Sequence, residues 1–169
     1  IARTHSEYLG IQLAALVTDK SSDFDEVMYG GSIENGRNYF YEGSAGQCVR
    51  CHGVEKGSVG VGPNLREIGG LLTRKQLLEA LDKPSKRLAP GYGVVTLTLK
   101  GGQVVAGILM EENDEELILK TTEAEPMDIP LERIQTRTNS PSSMPPMGQI
   151  LTKRELRDVI TFLASLQGD

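Results

Sequence analysis

Five consecutive residues, Cys48-Val49-Arg50-Cys51-His52, hold both cysteines of the chain and one of its two histidines. Two cysteines spaced C-x-x-C, with histidine directly after, form the attachment signature of a c-type haem. Two intervening residues let both sulfurs reach neighbouring vinyl groups of a porphyrin and add across them as thioethers. His52 then lies under the ring and can give a nitrogen to the iron. Other chemistries of the same residues fit less well. Zinc needs four ligands. Beyond the motif only the distant His5 is available, and ligands adjacent in sequence close a tetrahedron poorly. His5 reads as an exposed helix residue. A thioredoxin-like dithiol needs a strand before it and a helix after it, whereas this motif sits between Gly46 and Gly53 in a glycine-rich run. A disulfide across two residues would be strained and would leave His52 unexplained.

A histidine ligand needs its second ring nitrogen held. Gly62-Pro63-Asn64-Leu65 follows the flexible stretch Gly57 to Gly62. Proline fixes φ, so the Pro63 carbonyl could be aimed at the free nitrogen of His52; the bland alternative is an ordinary turn. A sixth ligand can come from Ser142-Ser143-Met144-Pro145-Pro146-Met147-Gly148. A thioether suits haem iron, and the prolines stiffen the loop at low entropic cost. Met144 is the favoured ligand because Pro145-Pro146 would hold the chain off the ring. Met147 is the alternative, or packs against the porphyrin edge. Both methionines as core filler is the remaining reading.

The elements around these residues are legible in part. Tyr8, Leu9, Gln12, Leu13, Leu16 and Val17 recur at helical spacing, within a segment 1–30 read as an N-terminal helix and linker. Ser32 is placed to cap a helix to about Glu42, stopped by Gly43, with Ile33, Gly36, Arg37 and Phe40 on one face. Thr73 to Gln76 and Thr152 to Glu155 match capping boxes. The first opens a helix with Leu77, Leu78 and Leu81 inward and Pro84 at its end. The second opens the last helix, whose Leu156, Val159, Ile160, Leu163 and Leu166 form one stripe; Phe162 could reach the Gly36/Phe40 face. From about Tyr92 to Thr138 the period changes to two. Val95, Leu97 and Leu99 alternate with polar residues, and Gly101-Gly102 turns the chain back. Gly107 reads as a bulge or bend. Several short strands predict a small SH3-like sheet or barrel.

At 169 residues the chain can bury a real core. A net charge of −5 and no long basic run argue against nucleic acid as partner. No apolar stretch approaches the ~20 residues of a membrane helix. The chain begins at Ile1 with no signal peptide, which reads as a processed chain or a piece of a longer protein. Covalent haem implies export, hence a periplasmic or otherwise extracytoplasmic location.

On these residues the chain resembles the class I cytochromes c. Those that carry the likeness are Gly36 to Phe40, Cys48 to His52, Gly62-Pro63-Asn64-Leu65, Met144-Pro145 and Phe162-Leu163. A closer likeness, over nearly all of Gly31 to Leu166, is to the Pirellula/Verrucomicrobium-type haem-binding domain at the C-terminus of large exported proteins. It rests on Ile68-Gly69, Leu72-Thr73, Leu78, Pro84-Ser85-Lys86, Ala89-Pro90-Gly91-Tyr92, Gly102, Gly107-Ile108, Ser143-Met144-Pro145, Glu155-Leu156 and Asp158. The resemblance implies a mainly α fold over residues 31–169, a helical haem domain with a β insertion at about 92–138. It implies one haem c per chain, with iron held by His52 and Met144 and with Pro63 supporting His52. It implies dehydrogenase-like or repeat domains upstream in the same polypeptide. The expected role is electron transfer without catalysis, to redox partner proteins that are basic if the net charge steers them. The competing expectations are a haem enzyme or gas sensor with a labile sixth ligand, and an interaction module built on the β segment with its acidic turn Glu111 to Glu116.

Overall fold

The computed structural model describes residues 24–43 and 47–168. His5 and the expected helix over Tyr8 to Val17 lie outside them. The chain divides into two compact units. One runs to Asp82 and resumes at Pro146; the other is Lys83–Pro145.

The first unit is helical. Helix α1, Ile33–Glu42, starts where the Ser32 hydroxyl accepts the Asn35 backbone N–H at 3.2 Å. Helix α2 is a single turn, Ile68–Leu71. Helix α3, Arg74–Asp82, opens on reciprocal bonds between Thr73 and Gln76 and ends two residues before Pro84. Helix α4, Lys153–Ser165, carries a complete capping box of Thr152 and Glu155. Its apolar stripe buries Leu156, Val159, Ile160, Phe162 and Leu163. Helices α1 and α4 cross at Gly36, where a Cβ would lie 2.7 Å from the Phe162 Cβ. The absent side chain is what lets the two backbones approach, and it brings the Phe40 and Phe162 rings to 5.5 Å. The buried Asp158 carboxylate accepts the Ser32 backbone N–H at 2.9 Å, tying the start of α1 to α4. Leu77 and Leu81 are buried as the spacing predicts, but Leu78 is only half-buried.

The second unit holds five antiparallel strands: β1 Val94–Leu99, β2 Val104–Glu112, β3 Glu116–Lys120, β4 Met127–Pro130 and β5 Ile134–Asn139. Their order is β4-β3-β2-β1-β5. In a flat sheet β4 and β5 would stand about 19 Å apart, at ~4.8 Å per strand. One 3₁₀ turn, Leu131–Arg133, joins them, and a link of that length reaches at most ~14 Å, so the sheet must curl. Val95, Leu97, Leu99, Val105, Leu109, Leu117, Leu119 and Ile129 fill its inner face. Gly101 and Gly102, with φ of 108° and 89°, make the β1–β2 turn in a region other residues avoid. The irregularity of β2 is not at Gly107, which pairs in register with Val95. It lies between Leu109 and Glu111. Gly107 serves a close approach instead, since a Cβ there would sit 2.7 Å from the Lys120 carbonyl oxygen.

The mainly α expectation is therefore corrected. About 21% of the described residues are strand and about 33% helix, an α+β fold. The sheet has its own core, so it is a structural partner of the helices in weight and not a minor addition to them. Among the described residues no helix is long and apolar enough to cross a membrane.

Candidate functional site

The cysteine motif folds into one tight turn. Gln47 enters it with a left-handed φ of 42°. Cys48–Arg50 form a 3₁₀ turn, and the Cys51 and His52 N–H groups both donate to the Cys48 carbonyl, at 3.1 and 2.9 Å. The motif thus wraps both thiols and the imidazole around one carbonyl. Both cysteines are free thiols, Cys48 half-buried and Cys51 exposed. Burial pushes the Cys48 thiol above its usual range. Dithiol redox chemistry instead needs a thiol lowered by a helix N-terminus or a nearby cation, and this 3₁₀ turn opens no helix. Among the described residues no three His, Cys, Asp or Glu side chains form a metal-binding group.

His52 is held from two sides. Its Nδ1 lies 2.9 Å from the Pro63 carbonyl oxygen. A carbonyl only accepts, so Nδ1 is the donor in this contact, and in a neutral imidazole Nε2 is then the nitrogen with a lone pair for a metal. The ring also lies against Gly62, where a Cβ would stand 2.6 Å from Cε1 and 2.8 Å from Nδ1. The Gly62 N–H donates to the Cys51 carbonyl at 3.0 Å, and the Leu65 N–H to the Gly53 carbonyl at 2.8 Å. These bonds close the loop that begins at His52.

A cleft of about 260 Å³ opens beside the motif, lined by Phe40, Tyr41, Cys51, His52, Val54 and Val59 among others. A mostly apolar lining that includes Cys51 suits a porphyrin, whose faces are apolar. The volume is below the ~300–1,000 Å³ of pockets that enclose a ligand, so the cleft could seat only part of a group as large as a porphyrin.

The two methionines fall on either side of the unit boundary. Met147 belongs to the first unit and opens a 3₁₀ turn, Met147–Gln149, packed on α3 and α4. It is 3% exposed, so protein atoms already cover its thioether. Met144 belongs to the second unit and is half-buried, with its N–H on the Ser142 hydroxyl at 3.1 Å. The structure brings Cys48, Cys51, His52 and Pro63 together within one unit. The sequence reading gave Gly62 and Asn64 no role of their own, although both stood in the quoted Gly62-Pro63-Asn64-Leu65. No family model matches the chain, and no curated protein matches it.

Proposed function

We propose that the chain carries one haem c bound through Cys48 and Cys51 and works as a one-electron carrier. One observation supports this above the rest: the imidazole that directly follows the second cysteine is locked by the Pro63 carbonyl with Nε2 free. A thioredoxin-type dithiol or an ordinary turn has no use for that lock. Within this reading the residues divide the work. Cys48 and Cys51 would hold the cofactor through two thioether bonds. His52 would give Nε2 to the iron, with Pro63 holding the ring orientation. Met144 would be the second ligand to the iron, since it is half-buried while Met147 is covered by protein. When bound, the haem would supply reversible one-electron chemistry, and a partly open cleft would let an electron pass with no bond made to a substrate.

Covalent haem places the chain outside the cytoplasm. Its partners are then redox proteins, basic ones if the charge of −5 steers the encounter, and dehydrogenase-like or repeat domains lie upstream in the same polypeptide. Carbon monoxide tests the carrier role. The reduced protein should not bind it readily at neutral pH. Rapid binding would show a vacant sixth position and favour a gas-binding or enzymatic role.

A further inference from the structure

We propose that Asn64 is a positioning residue for the His52 imidazole, acting through the Pro63 carbonyl; the inference rests on the haem reading above. The Asn64 side-chain NH₂ donates to the Glu55 carbonyl at 2.9 Å, the Ser58 carbonyl at 3.0 Å and the Ser58 hydroxyl at 2.8 Å. Its oxygen accepts the Arg66 backbone N–H at 2.8 Å. Every polar atom of the amide is engaged. Its three acceptors belong to one turn, closed by the Ser58 hydroxyl and N–H on the Glu55 carbonyl at 2.8 and 3.1 Å.

Two backbone bonds close the loop, from Gly62 to Cys51 and from Leu65 to Gly53. They leave the turn at Glu55 to Ser58 untied to the Pro63 segment. Gly53, Gly57, Gly60 and Gly62 make this backbone soft. Asn64 is the side chain that joins the turn to the residue next to Pro63. A drift of half an ångström or so would carry the 2.9 Å His52–Pro63 contact past good hydrogen-bond length. Gly62, which lies against the ring, would drift with it. Asn64 therefore sets how firmly the imidazole is held.

A merely structural amide would act through overall stability, and two kinds of variant separate the cases. Asn64→Asp keeps the acceptor for Arg66 but cannot donate, and sets a negative charge against two carbonyl oxygens. Asn64→Ala removes both functions. Ser32→Ala deletes the cap of α1 in the same unit without touching the loop. The readout is solvent exchange of the His52 Nδ1 proton, followed by NMR in the full-length haem-bound protein. Both Asn64 variants should speed it by about tenfold, the scale of one lost hydrogen bond. Ser58→Ala removes one acceptor of three and should speed it less, while Ser32→Ala should leave it unchanged. Unchanged exchange in the Asn64 and Ser58 variants would overturn the inference alone. Equal acceleration in Ser32→Ala would do the same, by assigning the effect to stability. A wild-type protein without thioether-bound haem would overturn the proposed function and this inference together.

Discussion

His52 concentrates the chemistry of the site, because three neighbours define its state: Cys51 before it, Gly62 against the ring and Pro63 on Nδ1. Of these, the Pro63 contact could be read from sequence once haem was in mind, since proline at fixed φ aims a carbonyl. The role of Gly62 could not, because a glycine in a glycine-rich run gives no sign that a ring lies where its Cβ would be. The axial methionine is testable at this scale. Met144→Ala should abolish the weak long-wavelength sulfur-to-iron absorption of the ferric protein and lower its midpoint potential. Met147→Ala should keep the band but destabilise the fold by about 2–5 kcal/mol, as for a buried methionine cut to alanine. The reverse spectroscopic result would assign the ligand to Met147.

Among the elements, the helix starts were the most legible. Ser32, Thr73 and Thr152 each cap where their type requires, the two threonines together with the Gln or Glu three positions on. Such signals are local, so sequence carries them. The single turn α2 was not legible: its Gly69-Gly70 pair disfavours helix. The turn exists because the Gly69 N–H reaches the Leu166 carbonyl at 2.8 Å, a contact between residues distant in sequence. The irregularity in β2 lies between Leu109 and Glu111 and not at Gly107, whose missing side chain answers instead to the close approach of Lys120 on the neighbouring strand β3. The α1–α4 crossing gives a direct test. Gly36→Ala would drive a Cβ into the Asp158 backbone and Phe162. Unfolding in denaturant should show a loss of about 1–3 kcal/mol, the usual cost of overpacking. A loss within ~0.5 kcal/mol, the range of ordinary surface substitutions, would mean the helices do not cross there.

For the whole molecule, periodicity located the strands but underweighted them. Alternation over Val95 to Leu99 is local, whereas the curled sheet with its own core depends on β5 returning beside β1. Two separate cores predict separable roles. Replacing residues 92–138 by a short Gly/Ser linker should leave methionine-ligated haem with the same absorption spectrum. Loss of that spectrum would make the sheet part of the haem pocket. Electron exchange should be faster with a small basic redox protein than with an acidic one, and should slow as salt rises, if the charge of −5 steers the encounter. Equal rates with both partners, or no dependence on salt in stopped-flow mixing, would refute steering.

The central claim is covalent haem on Cys48 and Cys51, and acid–acetone extraction with intact-mass measurement tests it most directly. The protein is produced by secretion in a host that attaches c-type haem. The account predicts that the colour stays with the polypeptide and that its mass rises by one haem. It also predicts that Cys48→Ala together with Cys51→Ala removes both effects. Colour lost wholly to the solvent, with the wild-type chain at its unmodified mass, would contradict it.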